Sequence, residues 1–452
     1  MTEQGTDHLP VPPNYDWDGY GFETRQVHAG EFEESDFGSR VPPIYLTAAY
    51  RFDSFQQSWD RFAGADDGQL YTRNLGPTQA VAERRIASLE GGAGAIAVGS
   101  GQAAIASTMI GLVAAGERFV STASIYSGTR LLFDRTLGGV GVGVDYVWDC
   151  TDEAEWDRLI RPETKAIFTE SIPNPKNDVV DLPFVARIAQ RHGLPLIVDN
   201  TIATPFLVRP IEHGANVVVH SATKFLTGQG AALSGVIVDG GNFDWAGAPR
   251  RYPAITDAPA PGAPSILEAR GSHALEYHLR WAPVNDLGPS LSPVNAFLLQ
   301  QGIETLSLRL ERHLSNSVRI AQWLSEHPTV RGVDYAALPG NPFHQVAQRV
   351  LDGPPGSVFA FTLRGGRRAA EVFFDSLRVF SRMTNIGDVR SMALHPATTT
   401  HLSFDQETRD RLGIDDGLIR LSVGIETVDD LIADLDAALA AAARIRPRGP
   451  VR

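Results

Sequence analysis

Leu196-Ile197-Val198-Asp199-Asn200-Thr201 and Val217-Val218-Val219-His220-Ser221-Ala222-Thr223-Lys224 are each a short apolar run that ends in polar residues. Runs of this kind read as buried strands, with the polar residues at their carboxyl ends. A lysine that follows such a strand and stands among small hydroxyl residues is not placed like an ordinary surface cation. It is placed like a Schiff-base lysine beside phosphate-binding hydroxyls. Asp199, 25 residues upstream, is placed like the acidic partner of a pyridinium nitrogen. The pair suits pyridoxal 5'-phosphate (PLP). Strand-end acids and lysines are common in α/β proteins, however, so the pair alone does not decide the matter.

The same alternation extends outward on both sides. Thr78 to Glu90 reads as a helix stopped by Gly91-Gly92. Ala95–Val98, Arg118–Val120, Asp145–Trp148, Ala166–Thr169, Leu196–Val198, Val217–Val219 and Val236–Val238 read as strands between helical stretches. Such alternation predicts an α/β fold with a mainly parallel sheet covered on both faces. Ligands of such sheets sit beyond the carboxyl ends of the strands, where Glu170, Asp199 and Ser221–Lys224 fall. Residues 249–264, with five prolines, read as an irregular connection. Beyond about 290 a smaller C-terminal α/β domain is expected. Leu306, Leu310, Leu314, Ala321 and Leu324 recur at helical spacing, Val358–Leu363 and Leu418–Val423 look like strands, and an amphipathic helix follows Thr427. Thr427-Val-Asp-Asp430 resembles its capping box, with Asp in place of the usual Glu or Gln. Residues 1–75 read as an N-terminal arm, 76–290 as the cofactor-binding domain and 291–452 as the C-terminal domain. The arm either packs on another subunit or hangs free.

Composition excludes several classes. A chain of 452 residues with 43% hydrophobic and 21% charged residues has the make-up of a globular enzyme. Its net charge of −13, with no Lys/Arg-rich run, argues against nucleic-acid binding. Cys150 is the only cysteine, so no intramolecular disulfide is expected and a reducing cytoplasm suits the chain. Met1 to Tyr20 has no apolar segment of a signal peptide, and no apolar run is long enough to span a membrane. His395 and His401 invite a metal reading, but without an H-E-x-x-H pattern or a cysteine cluster no metal is expected.

Ser100-Gly-Gln-Ala-Ala104 follows a strand and opens a helix. It reads either as a serine N-cap or as an anion site at the helix N-terminus. Gly92-Ala-Gly-Ala-Ile-Ala97 matches a dinucleotide pattern but precedes its strand instead of following it, which excludes that reading. Tyr126, just after a strand, could stack on a planar cofactor. Tyr71-Thr-Arg73 could clamp a phosphate or be an exposed pair.

Taken together, Tyr71-x-Arg73, Ser100–Ala104, Glu170-Ser-Ile-Pro-Asn-Pro175, Val198–Thr201 and His220–Phe225 resemble, in order and spacing, the Cys/Met-metabolism PLP enzymes. Within that family, Leu291–Thr305, Asn385–Asp388, His395–His401 and the long segment 249–290 resemble the O-acetylhomoserine sulfhydrylases most closely. The resemblance covers about residue 22 to 445. It implies PLP fold type I, with a mainly parallel seven-stranded sheet between helices. It also implies that Lys224, Tyr126 and Asp199 are catalytic: Lys224 carries PLP covalently, Asp199 pairs with the ring nitrogen and Tyr126 stacks on the ring. Gly101, Gln102, Ser221 and Thr223 would hold the phosphate, with Tyr71 and Arg73 contributed from a neighbouring subunit. Thr201 and Asn174 would also contact the cofactor, and Arg420 would bind the substrate α-carboxylate with help from Asn385 and Ser100.

The activity implied is γ-replacement, in which O-acetyl-L-homoserine and sulfide give L-homocysteine and acetate. A cytoplasmic homotetramer built from dimers with shared active sites is implied as well. Ser127, where glycine is frequent, and Arg382-Met-Thr before Asn385 depart from the family's pattern. Rival readings are cystathionine γ-synthesis, O-succinylhomoserine use, methionine γ-elimination and an inactive PLP-fold regulatory protein. The absence of a cysteine near Tyr126, where methionine γ-lyases carry one, counts against γ-elimination. Retention of Lys224, Asp199, Tyr126 and Arg420 counts against an inactive protein.

Overall fold

The computed structural model describes residues 17, 19–31 and 38–444. The arm's residues 1–16, 18 and 32–37, and the last residues from 445, lie outside the described residues.

All seven expected strands form: β1 (Gly94–Val98), β2 (Arg118–Thr122), β3 (Gly143–Val147), β4 (Thr164–Glu170), β5 (Leu196–Asp199), β6 (Val217–His220) and β7 (Gly235–Asp239). They make one sheet in the order β1-β7-β6-β5-β4-β2-β3. β7 runs antiparallel to both neighbours, and the other pairings are parallel. β4, β5 and β6 are buried along their whole length, and with both faces covered Ala166–Phe168, Leu196–Val198 and Val217–Val219 read as unbroken apolar runs. The register pairs Glu170 with Asp199 and Asp199 with Val219, which brings three strand ends to one level. The 249–264 connection is pinned by buried Tyr252 and Ile255, and the Tyr252 hydroxyl donates to the Lys165 carbonyl at 2.7 Å.

The second sheet has the order β10-β11-β12-β9-β8, from β8 (Val330–Asp334), β9 (Val358–Leu363), β10 (Ser381–Arg382), β11 (Met392–Leu394) and β12 (Leu418–Ser422). The apolar contacts change sides inside the helix Leu306–Glu326, later than the compositional boundary near 290. Leu291, Leu299, Leu306, Leu310 and Leu314 belong to the large sheet's core, whereas Ile320, Ala321 and Leu324 belong to the small sheet's.

Two local expectations are corrected. The Thr427 side chain makes no capping bond to the helix Val428–Ala443, so the capping box does not form. The arm is also not free throughout. In the helix Phe22–His28, Gln26 is buried, its Nε2 donates to Ser307 Oγ at 2.9 Å, and its Oε1 accepts from Ser307 N at 3.1 Å. Among the described residues no helix is long and apolar enough to cross a membrane.

Candidate active site

The carboxyl ends of β4, β5 and β6 carry Glu170, Asp199 and His220, and the turn after β6 carries Lys224. Asp199 Oδ1 accepts two bonds from Thr201, from its backbone N at 3.0 Å and its hydroxyl at 2.5 Å, and the same hydroxyl accepts from Ser221 N at 2.8 Å. Thr201 therefore fixes one carboxylate oxygen and ties the β5 end to the lysine turn, leaving Oδ2 without a partner among the described residues. Burial raises the Asp199 pKa, while the Thr201 bonds and the nearby His220 oppose the rise. Glu170, beside it in the register, is pushed well up by burial and by the Asp199 charge. Its Oε1 accepts from Tyr126 N at 2.6 Å. Glu170 thus holds the backbone of Tyr126, a role that its place at a strand end does not reveal.

The chain has three lysines. Lys165 pairs with Glu117 at 2.9 Å and Lys176 with Asp334 at 3.3 Å. Lys224 has no acidic partner among the described residues; its Nζ donates to Asn385 Oδ1 at 2.5 Å. Burial, and then the charge of Arg420, push its amine down to about 8. Arg420, buried on β12, donates to Asn174 Oδ1 at 3.2 Å, the Asn385 carbonyl at 3.0 Å and the Thr384 carbonyl at 3.4 Å. No carboxylate reaches Arg420 among the described residues, its Nε is buried without a partner, and burial drives it down to about 10. A buried guanidinium without a counter-charge is a site prepared for an anion. Asn385 is set by the turn at Gly387 (φ +72°), where a Cβ would stand 2.8 Å from Phe225 N.

Ser100 is the N-cap of the helix Gly101–Leu112, its Oγ accepting from Ala103 N at 3.1 Å. The capping reading holds, and it does not exclude the anion-site reading. The cap uses the Ala103 N–H, and a Cβ on Gly101 would lie 2.6 Å from Ser221 Cβ, so the helix start abuts the lysine turn. Tyr126 is 42% exposed, and its ring lies back over Gly128, where a Cβ would stand 2.4 Å from Tyr126 Cε1 and 3.1 Å from Gln102 Nε2. Tyr126, Gln102 and Gly101 thus converge. Thr223 is already committed to Ser234, donating to its carbonyl at 3.1 Å and accepting from its N at 2.9 Å. It can turn its hydroxyl proton to a phosphate only by releasing that carbonyl.

Tyr71 and Arg73 stand apart, with no bond to the other candidate residues. The Arg73 guanidinium lies 5.4 Å from the Tyr71 ring centroid. Their loop is anchored to its own subunit by Arg280 Nη1, which donates to the Asn74 carbonyl at 2.7 Å, and by Asn74 Nδ2, which donates to Asn285 Oδ1 at 2.8 Å. His395 is bonded to Thr398 Oγ1 at 2.8 Å and the Asp416 carbonyl at 2.9 Å, and burial, Arg420 and Arg130 hold His401 down at about 4. Among the described residues no group of His, Cys, Asp and Glu could hold a metal ion.

A family model described as Cys/Met metabolism PLP-dependent enzyme matches residues 23–440. The chain belongs to that family. O-acetyl-L-homoserine sulfhydrylase of Corynebacterium glutamicum is 43% identical over 443 residues, covering 96% of this chain and all of the relative. A crystal structure from Campylobacter jejuni, assigned as an O-acetylhomoserine (thiol)-lyase and bearing a pyridoxyl-lysine monophosphate, aligns with a TM-score of 0.90 at 35% identity, covering 93% of this chain and all of the other. Cystathionine γ-lyase of Lactobacillus plantarum, complexed with L-serine, aligns at 0.81 with 32% identity, covering 94% of this chain and all of the other. The residues present fit the family's cofactor. An acid-free, desolvated lysine, a carboxylate with one oxygen unbonded and a helix N-terminus pressed against Ser221 suit the aldehyde, the ring nitrogen and the phosphate of PLP.

Proposed function

We propose that this chain catalyses γ-replacement of O-acetyl-L-homoserine by sulfide, giving L-homocysteine and acetate. The observation that carries the reading is the buried, acid-free Arg420 beside the acid-free Lys224, one group for an amino acid's carboxylate and one for its Cα proton. The sulfhydrylase relative supports the choice of acyl ester and acceptor.

Lys224 would carry PLP, Asp199 Oδ2 would hold the pyridine nitrogen, and Tyr126 would cover the ring. Gly101, Gln102 and Ser221 would hold the phosphate, with Thr201, Thr223 and Asn174 alongside. When bound, PLP withdraws electron density from the substrate Cα. Arg420 binds the α-carboxylate, with Asn385 and Ser100 beside it, and so fixes which Cα bond faces Lys224. The Lys224 amine, brought down to about 8 by burial and Arg420, accepts the Cα proton in its neutral form, and a second proton then leaves Cβ. The Cγ–O bond breaks, acetate departs, and sulfide forms the new Cγ–S bond before the protons are returned.

A succinyl ester carries a further carboxylate. Two arginines lie near Asn385 in the sequence and each already has a partner: Arg382 donates to the Asp375 carbonyl at 3.2 Å, and Arg390 pairs with Asp388 at 3.2 Å. Arg130 supports the second reading, because its Nη1 is buried without a partner although the guanidinium lies beside Asp134 and faces Tyr146, Trp148 and Phe404. The test is kcat/KM for acetyl and succinyl esters, each with sulfide or cysteine, on the native enzyme and Arg130→Met. Acetyl ester with sulfide is expected to lead by about tenfold or more, and Arg130→Met to leave that rate within about threefold. A succinyl preference that Arg130→Met removes, or a preference for cysteine, overturns the reading.

A cytoplasmic homotetramer of dimers with shared sites goes with this function. Val41, Ile44, Leu46, Phe52, Phe55, Trp59 and Phe62 are all exposed on one segment, an apolar surface that a second subunit would cover. Tyr71 and Arg73 follow that segment and would enter the partner's site. Mixing Tyr71→Phe with Lys224→Ala protein is expected to restore about a quarter of native activity, because random exchange gives half heterodimers with one intact site each. Demonstrated subunit exchange without recovery would rule the shared site out.

A further inference from the structure

Asn177 sits in the loop that follows β4, at φ +62°, and is buried to zero exposure. Its backbone is tied to that loop, with Asn177 N donating to the Pro173 carbonyl at 3.0 Å and Val179 N donating to the Asn177 carbonyl at 3.0 Å. Its side chain is spent on the small domain. Nδ2 donates to the carbonyls of Pro355 at 2.6 Å and Val358 at 3.1 Å, and Oδ1 accepts from Ala336 N at 3.0 Å. An asparagine meets both needs here: it tolerates the left-handed backbone, and its amide supplies donors and an acceptor together.

These contacts close a ring on the substrate-binding arginine. Val358 opens β9 and pairs with Ser422 of β12, and two steps along the same ladder Ala360 pairs with Arg420. Arg420 then returns to the starting loop through Asn174 Oδ1 at 3.2 Å. Lys176, between the two asparagines, adds a third tie, to Asp334 of β8 at 3.3 Å. The loop 174–177 therefore grips the small sheet at β8, at the start of β9 and at Arg420.

We propose that Asn177 is a positioning residue for the substrate α-carboxylate, registering the small domain's sheet on the large domain so that Arg420 stands against Asn174. This rests on the proposed role of Arg420. The site geometry depends on a contact between a loop of the large domain and a strand of the small one, and a shift there draws the Arg420 guanidinium away from the carboxylate it binds. Nothing about Asn177 itself touches the reacting atoms.

The test uses holoenzyme with Asn177→Asp, which keeps the acceptor and backbone but loses both donors, and Asn177→Gly, which keeps the backbone and loses all three bonds. Both are expected to raise KM for the ester, and the Kd of the unreactive amino acid L-norvaline read from the cofactor's visible absorbance, by about tenfold, while kcat and the Kd for PLP stay within about threefold. Should neither variant fold, Lys176→Met loosens the same loop from its exposed side and is expected to raise KM by about threefold. Native enzyme that binds no L-norvaline sinks the reading of the site on which this rests. Native binding with unchanged variant KM, or a fall in PLP affinity that tracks the KM change, sinks the positioning role alone.

Discussion

Lys224→Ala is expected to lower turnover by about 10,000-fold, and the purified variant to hold PLP without a covalent bond. The size follows from the two tasks that the geometry gives this side chain, anchoring the cofactor and moving the Cα proton. With three lysines in the chain, reduction of the native enzyme with borohydride and peptide mapping has few places to look. The adduct is expected on Lys224, because Lys165 and Lys176 are paired with Glu117 and Asp334. An added small amine such as ethylamine is expected to restore part of the activity, since the missing group is a base. The pH dependence has a definite sign. Burial and Arg420 lower the amine from 10.5 to about 8, so the neutral form that accepts a proton grows as pH rises through 8, and the rate should rise with it. An adduct on another lysine, or a Lys224→Ala enzyme with near-native turnover, would remove Lys224 from the site.

Much of the large domain was legible because burial on both faces writes a strand into the sequence as an uninterrupted apolar run. Val217–Val219 and Leu196–Val198 carry that signature directly, and a polar residue at the end of such a run marks the ligand side. The small domain was legible only where its strands share that property, as β9 does. β8 interrupts its run with Arg331 and Gly332, β10 has two residues and β11 three, too few for any periodicity to show. That one helix packs against both cores was hidden for a different reason. The helix Leu306–Glu326 keeps one helical period throughout, and a period does not reveal that its apolar stripe meets two different cores. Within the site, Asp199 and Lys224 were legible one by one, whereas the Arg420–Asn174 bond joins residues 246 apart and only the fold shows it. Asn177 is the extreme case. Its partners are backbone carbonyls and an N–H, which leave no mark on the sequence of the strands that supply them.

Arg420→Ala is expected to cost about 2–4 kcal/mol of transition-state binding, roughly 30- to 1,000-fold in kcat/KM for the acetyl ester. The guanidinium is buried, held in place by Asn174 and by the carbonyls of Thr384 and Asn385, and among the described residues no acid satisfies it. Carbonyl dipoles orient such a charge without neutralising it, so a substrate carboxylate gains a charge-assisted contact for which little protein reorganisation is needed. Arg420→Lys should recover only part of the loss, because an ammonium cannot reproduce a planar two-point contact and would be drawn to the same carbonyls. Removing the charge has a second consequence that separates this role from a merely structural one. Arg420 is the electrostatic contributor, after burial, to the lowered Lys224 amine, so its loss should move the rising limb of the pH–rate profile upward from about 8. A lost carboxylate contact and an upward-shifted limb in one variant would place Arg420 beside both substrate and base. An Arg420→Ala enzyme with unchanged kcat/KM and an unmoved limb would show that the carboxylate is bound elsewhere.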